Sequence, residues 1–238
     1  QYVRHWDADG NLTELHYGGL TAAFDYSKLG EAWSTPTILH VPEGKNGKWV
    51  AVFGAGFNSG VNKNYGSSIY AIDLEDQGKV LKRIDLTDAP NDIANSVPTS
   101  LTAVTPDSTS LATYKGALVY FADLEGKLWK LNLTDQDRMY EATQIFNAEA
   151  TQANDRFAYQ QVTPSIDNEG TLWIYYGTGS YQQLQRMSPS IKNRLFGVKD
   201  TNFPTFKAVN ASTVNQMKDT TATGNVCPGN SDPGWYYD

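Results

Sequence analysis

An acidic stretch near the start of the chain has the residue types of a calcium loop. The candidate ligands are Asp7, Asp9, Asn11 and Glu14. Carboxylate and amide oxygens at alternate positions are what a loop needs to wrap Ca²⁺. Two features depart from the usual calcium loop: glycine stands at the fourth position, and Gly18 occupies the twelfth, where a bidentate acid belongs. A hairpin turn at Asp9-Gly10 explains the same residues. Both interpretations stay open, and the turn is favoured.

Other side chains that could carry chemistry lack a supporting pattern. The three histidines, His5, His16 and His40, have neither H-x-x-x-H nor H-E-x-x-H spacing. No G-x-S-x-G nucleophile elbow occurs. Cys227 is the single cysteine, which rules out an internal disulfide and a multi-cysteine zinc site. The sequence therefore predicts no catalytic residues, no enzymatic activity and no cofactor other than calcium.

Charge and composition exclude several classes of protein. The chain has 238 residues, with 19 Lys and Arg against 26 Asp and Glu, and a net charge of −7. Because basic side chains supply most phosphate affinity, this charge argues against nucleic-acid binding. No apolar run approaches the roughly 20 residues of a membrane-spanning helix. The 20 glycines and 12% aromatic residues favour strands and tight turns over helices.

Three segments of the chain follow one plan. Each opens at a Thr/Pro pair, with Pro36, Pro98 and Pro164 lying 62 and then 66 residues apart. Each then contains about four short strand candidates bounded by Gly, Pro, Asn or Asp. The predicted repeats are residues 30–86, 95–148 and 160–210. Four strands in each repeat are typical of β-propeller blades.

The predicted fold is therefore all-β: a β-propeller of four-stranded antiparallel blades. Propellers close with roughly four to eight blades, so residues 1–238 form a propeller domain or a fragment with three to four blades of a larger one. The last strand of the third repeat is predicted at 205–209. The segment 234–238 has the pattern of a strand cut mid-run. We expect four tryptophans to be substantially buried: Trp33, Trp49, Trp129 and Trp173.

Two long loops are the predicted partner-binding surface. They run from Gly54 to Ser67 and from Gly179 to Asn193. Loops carried by a rigid scaffold often bind partners, and aromatic and amide side chains suit an adaptable interface. The residues concerned are Phe57, Asn58, Asn62, Asn64, Tyr65, Tyr181, Gln182 and Gln183.

Taken together, the motifs resemble the C-terminal propeller of the PilC/PilY family of type IV pilus-associated adhesins. The resemblance rests on five stretches: Gly30–Pro36, Trp49–Ser59, Ala122–Leu131, Tyr176–Tyr181 and Gly234–Asp238. They occur in the family's order and cover most of residues 30–238. The resemblance implies a seven-bladed propeller, so blades would be missing on both sides of this chain.

The resemblance also implies a function at the bacterial cell surface, at the outer membrane or the pilus tip. It implies adhesion to host cells or surfaces and a part in pilus biogenesis. The expected partners are minor pilins or the pilus fibre, together with a host-cell or surface ligand. The family's calcium loop, D-x-D-x-D-x-x-x-D, corresponds here to Thr105–Thr113, where Asp107 is the one acid. Calcium control of the pilus is therefore not carried over to this chain.

Two alternatives remain. A quinoprotein-like dehydrogenase propeller shares the A-D-x-x-G-x-x-W stretch seen at Ala122–Trp129. Such enzymes typically also place two adjacent cysteines at the cofactor, and this chain has one cysteine. An outer-membrane assembly scaffold with a propeller fold would bind a secretion partner instead of pili.

Overall fold

The computed structural model describes residues 3–6, 12–15, 22–58, 65–86, 95–105, 115–151, 153–183, 191, 193–221 and 228–238. For residues 3–6, 12–15, 22 and 183 the description is limited to the backbone. Throughout these ranges the chain consists of strands, loops and short 3₁₀ helices, which confirms the all-β prediction. The first two strands, β1 (Val3–Trp6) and β2 (Leu12–Leu15), pair as an antiparallel hairpin.

Three larger sheets follow, and in each of them neighbouring long strands are antiparallel. Sheet I consists of β3 (Thr37–Val41), β4 (Lys48–Gly54), β5 (Ser68–Asp73) and β6 (Lys79–Asp85). Sheet II consists of β7 (Thr102–Val104), β8 (Gly116–Ala122), β9 (Lys127–Thr134) and β10 (Ala142–Asn147). Sheet III consists of β11 (Thr163–Ile166), β12 (Leu172–Gly177), β13 (Leu195–Asp200) and, at the far edge, a strand from the end of the chain.

The fourth strand of sheet III is a correction to the sequence prediction. It is β16 (Gly234–Tyr237), which pairs with β13. Residues 205–209 are not a strand, and Phe206 is instead buried in the core. The chain between β13 and β16 adds two short parallel strands, β14 (Ser212–Thr213) on the edge of sheet II and β15 (Lys218–Asp219) on the edge of sheet III.

Sheet II lies between the other two sheets, and its strands alternate their side chains between two cores. One face packs against sheet I, and this core includes Val119, Phe121, Leu131, Val50, Val52 and Ile69. The opposite face packs against sheet III, and that core includes Leu118, Tyr120, Leu128, Ile174, Phe196 and Val198. Because strand side chains alternate in direction, a strand covered on both faces buries every residue. All eight residues of β9 are buried.

The tryptophan predictions are confirmed in one case and wrong in two. Trp129 is buried at 8% exposure, and its indole Nε1 donates to Asp123 Oδ2 over 2.9 Å. Trp33 and Trp49 are 45% and 50% exposed. Trp49 lies on the outer face of sheet I beside His40, with ring centroids 5.2 Å apart. Trp173 is half-buried on the outer face of sheet III. Only sheet II is covered on both faces among the three sheets, so outward tryptophans of sheets I and III stay accessible.

A threonine at the start of a sheet joins it to the next sheet. Thr37 Oγ1, from the first residue of β3, donates to Leu101 O over 2.9 Å. Thr102 Oγ1, from the first residue of β7, donates to Val162 O over 2.7 Å. In both cases the accepting carbonyl stands immediately before the first strand of the following sheet. The same relation between sheets I and II and between sheets II and III shows that the sheets stack by one repeated geometry.

A buried ion pair crosses from sheet II to sheet III. Lys130 Nζ lies 2.5 Å from Asp200 Oδ2, and both side chains are almost fully buried. Lys130 also donates to Thr205 O at 2.8 Å, and the Tyr120 hydroxyl donates to Asp200 at 2.7 Å. Burial lowers the pKa of Lys130, and the charge of Asp200 opposes that shift. Each charge therefore depends on the other for compensation inside the core.

Replacing one member of this pair should destabilise the fold more than replacing both. Lys130→Met leaves Asp200 buried without its counter-charge, and we expect a loss of about 3–5 kcal/mol of unfolding free energy. Lys130→Met combined with Asp200→Leu should recover much of that loss, because no buried charge remains. Urea unfolding measures both changes. Lys79→Met, which removes the exposed partner of Asp76, is the control and should have no measurable effect. Equal, small losses for Lys130→Met and Lys79→Met would contradict this account.

Candidate functional site

The connections between the second and third strands leave and re-enter the three sheets at one end of the stack, which we call the loop end. They are residues 55–67 in sheet I, 123–126 in sheet II and 178–194 in sheet III. Phe57 of the first connection and Leu124 of the second lie in one buried cluster with Phe157. The two long loops predicted to bind partners are therefore on the same end of the molecule, with the tight turn of sheet II between them.

Backbone hydrogen bonds tie these connections together. Two segments that precede first strands, residues 95–97 and 157–158, lie between the connections. The bonds, in order across the loop end, are Gly56 N to Val97 O (3.1 Å), Leu124 N to Ser96 O (2.7 Å), Ala158 N to Leu124 O (3.4 Å) and Gly179 N to Phe157 O (2.8 Å). We call this row the backbone belt. Because its donors and acceptors are main-chain groups, it positions the loops largely independently of their side chains.

Four aromatic rings, Trp33, Phe57, Tyr159 and Tyr181, form a row across the belt, which we call the aromatic ladder. The Trp33 and Phe57 rings stack with centroids 4.8 Å apart and planes 18° apart. Tyr159 lies 6.1 Å from each of them. Tyr159 in turn stacks on Tyr181 at 5.1 Å and 16°. The ladder thus connects the loop of sheet I to the loop of sheet III.

The two inner rings of the ladder, Phe57 and Tyr159, are less exposed than the two outer rings, Trp33 and Tyr181. Phe57 is buried, at 4% exposure, and Tyr159 is half-buried. Trp33 and Tyr181 are 45% and 47% exposed. The inner rings thus anchor the ladder to the core, and the outer two present aromatic surface to solvent.

A buried polar turn lies within the belt, beside Leu124. Asp123 Oδ1 accepts from Lys127 N at 3.0 Å, and Asp123 Oδ2 accepts from Trp129 Nε1. Glu125 forms an ion pair with Lys127 Nζ. The amide of Asn95 donates to Glu125 Oε2 at 2.8 Å and to Asp123 Oδ2 at 3.3 Å. Burial raises the pKa of Asp123 to about 7, although the hydrogen bond from Trp129 and the charge of Lys127 act in the opposite direction.

The structure places five of the eight predicted loop residues with their side chains. Phe57 is a correction, because its ring is buried in the ladder and not free for a partner. Tyr65 is exposed, and the Asn58 amide donates to its carbonyl at 3.0 Å. Tyr181 and Gln182 are exposed. The remaining predictions lie outside what is described: Asn62, Asn64 and the side chain of Gln183.

Sequence reasoning missed two ladder residues, Trp33 and Tyr159. Trp33 was predicted to be buried, and no role was predicted for Tyr159. Both stand a few residues before a Thr/Pro pair, Thr35-Pro36 and Thr163-Pro164. An aromatic residue shortly before each of these repeat openings was the available signal.

The calcium prediction remains a prediction. Asp7, Asp9 and Asn11 lie outside the described residues, and for Glu14 the description ends at the backbone of β2. The flanking strands do pair as a hairpin, with Trp6 opposite Leu12. In the described part of the chain, no three or more His, Cys, Asp or Glu side chains are grouped to hold a metal. Cys227 and Asp107 also lie outside that part. None of the described helices is long and apolar enough to cross a membrane.

The raised pKa of Asp123 predicts a pH dependence of stability. The folded protein keeps this proton up to about pH 7, whereas an unfolded aspartate loses it near pH 4. The stabilisation that accompanies protonation is therefore complete at low pH and is lost as the pH rises through about 7. Between pH 5 and 7, the unfolding free energy should fall by at most about 1.4 kcal/mol per pH unit because of this group.

Asp123→Asn should remove that part of the slope, as measured by urea unfolding at several pH values. Asp167→Asn is the matched control: Asp167 occupies the same kind of turn, but its hydrogen bond with Trp173 lowers its pKa. The control should leave the slope between pH 5 and 7 unchanged. An identical slope in the parent protein and Asp123→Asn would show that Asp123 is already ionised in this range.

Comparison with known proteins gives one distant similarity to report. The chain is 23% identical over 193 residues to the "Type IV pilus biogenesis factor PilY1 homolog" of Xylella fastidiosa (strain Temecula1 / ATCC 700964). The match covers 74% of this chain and 12% of that relative, so the chain spans a small part of the relative's length. No protein-family model matches, and no solved structure matches. These findings support a PilY1-like relationship and a link to type IV pili.

Proposed function

We propose that this protein is a non-enzymatic, pilus-associated protein of the bacterial cell surface that adheres to host cells or surfaces through its loop end. Its partners in this proposal are minor pilins or the pilus fibre. The pilus-related role is supported by the similarity to the PilY1 homolog. The adhesive role is supported by one observation above others: rigidly placed aromatic rings are exposed at the loop end.

The described residues of the loop end suit a contact surface because contacts within the chain hold them in place. The backbone belt fixes the connections, and Phe57 and Phe157 pack with Leu124 beneath them. A surface that is ordered before binding loses little conformational entropy on association. Exposed tryptophan and tyrosine are also the residue types enriched at interfaces. The aromatic ladder is thus the part of the described structure best suited to hold a partner.

We further propose that the three sheets are consecutive blades of a β-propeller. Sheet II shows how a sheet is covered by neighbours on both faces. The outer faces of sheets I and III carry exposed large apolar side chains, which include Ile38 and Trp49 on one and Leu195 and Tyr237 on the other. Exposed apolar patches commonly mark surfaces that another element covers. The relative is about eight times longer than the matched 12%, which leaves ample chain for further blades.

Sheet III also repeats two features that in sheet II contact or are covered by a neighbouring sheet. In the described structure, no further sheet lies against them in sheet III. Thr163 begins β11 as Thr37 begins β3 and Thr102 begins β7, but it is exposed. The Asp167–Trp173 turn repeats the buried turn of sheet II: Asp167 accepts from Thr171 N at 2.9 Å and from Trp173 Nε1 at 2.8 Å. In sheet II these groups are covered, and in sheet III they face outward. A fourth sheet stacked by the same geometry would cover them.

Gene deletion in the source bacterium tests the proposed function. Loss of the protein should reduce surface pili and pilus-dependent adhesion, and the parent gene should restore both. A gene carrying Trp33→Ala and Tyr181→Ala should restore pili but not adhesion, because these rings lie at the surface and not in the core. Leu74→Ala is the matched control: Leu74 is also 45% exposed, but it lies at the opposite end of sheet I. Normal piliation and adhesion in the deletion strain would overturn the proposal.

A further inference from the structure

We propose that the aromatic ladder binds a neutral glycan by stacking sugar rings on the exposed surfaces of Trp33 and Tyr181. This inference rests on the proposed function, since it names the ligand class of the loop end. The proposed binding is non-covalent and consists of ring stacking and hydrogen bonds. The observations that carry it are the exposed surface of the two outer rings, the exposed polar residues next to ladder residues in the sequence and the net charge of the chain.

Each outer ring of the ladder keeps about half of its surface exposed. Trp33 stacks on Phe57, and Tyr181 stacks on Tyr159, with interplanar angles of 18° and 16°. One face of each outer ring is therefore covered by its neighbour. The side chains nevertheless keep 45% and 47% of their surface exposed, which leaves aromatic surface accessible to a ligand. The Trp33 and Tyr181 rings thus both present aromatic surface to solvent.

Exposed polar residues neighbour the ladder residues in the sequence. Glu31 precedes Trp33 by two residues, Gln160 follows Tyr159, and Gln182 follows Tyr181, and all three are exposed. A pyranose ring has an apolar face of C–H groups and a rim of hydroxyls. Aromatic surface matches the former, and amide or carboxylate groups match the latter. The presence of both exposed aromatic rings and exposed polar residues at the loop end fits a sugar better than a uniformly apolar ligand.

Charge favours a neutral ligand over an anionic one. The chain carries a net charge of −7, and the acidic residue Glu31 lies two positions before Trp33 and is exposed. An acidic glycan, a nucleic acid or an anionic lipid surface would be repelled by this field. A neutral glycan has no such penalty, since its hydroxyls can donate hydrogen bonds to carboxylate and amide oxygens.

Geometry disfavours two peptide-like ligands. A proline-rich segment docks in grooves lined by aromatic rings, but stacked centroids 4.8 and 5.1 Å apart leave no groove within either pair. An amphipathic helix needs an aliphatic groove. The described loop-end connections and the segments before the first strands expose three large apolar residues, and all three are aromatic: Trp33, Tyr65 and Tyr181. The exposed aliphatic ones lie in strands or in the opposite turn: Ile38, Leu74, Ile166 and Leu195.

Calorimetric titration of the purified full-length protein tests the inference. The probes are cellotetraose and lacto-N-tetraose as neutral glycans, sialylated lacto-N-tetraose as the acidic counterpart, and decaproline as the peptide. We expect binding of at least one neutral glycan and weaker or no binding of its acidic counterpart and of decaproline. Trp33→Ala and Tyr181→Ala should each weaken neutral-glycan binding by about tenfold. Leu74→Ala should leave it unchanged.

Trp33→Phe separates loss of stacking from loss of fold, since a smaller aromatic ring keeps a stacking face and should retain most of the affinity. Failure of the parent protein to bind either neutral glycan would overturn the inference, as would equal binding by Trp33→Ala. Tighter binding of decaproline or of the sialylated glycan would also overturn it. If glycan binding fails while gene deletion still removes pili and adhesion, the proposed function stands and the ligand class is wrong. Normal pili and adhesion in the deletion strain would instead remove the proposed function itself.

Discussion

The packing of sheet II between two other sheets is the interaction on which the rest of the structure depends. Its strands β8 and β9 direct alternate side chains into separate cores, so neither face can be exposed without loss of buried apolar surface. The ends of the same strands carry the Asp123–Gly126 turn. The backbone belt passes through Leu124 of this turn to both neighbouring sheets. The stack and the loop end are therefore ordered by one element.

The sequence predicted strands correctly where the local pattern of apolar residues matches the burial that those residues have in the folded protein. Short strand candidates bounded by Gly, Pro, Asn or Asp predicted an all-β chain, and sheets I, II and III confirm it. Residues 205–209 had a strand-like pattern, and Phe206 and Val209 do pack in or against the core, but the segment pairs with no described strand. The strand that completes sheet III comes from 234–237, after a long insertion. A pairing between strands so far apart in sequence leaves no local signal.

The sequence predicted which loops carry the candidate site, but not how the aromatic rings of the site stack on one another. Two loops with aromatic and amide side chains were identified, and the structure brings Phe57 and Tyr181 to the same end. Their connection depends on Trp33 and Tyr159, which belong to segments that precede first strands. Composition alone assigned Trp33 to the core, because a large aromatic residue is usually buried. Its 45% exposure follows from tertiary geometry, because its ring stacks on Phe57 at the loop end and not inside either core.

Oxidative footprinting of the full-length protein by hydroxyl radicals tests the central claim, that the sheets are consecutive blades with a free loop end. In the described chain, Trp33, Trp49, Tyr181 and Tyr237 are all about half exposed. If further blades cover the outer faces of sheets I and III, Trp49 and Tyr237 should be protected from oxidation while Trp33 and Tyr181 are modified rapidly. Rapid modification of all four residues, or protection of Trp33 and Tyr181 with modification of the other two, would contradict the account.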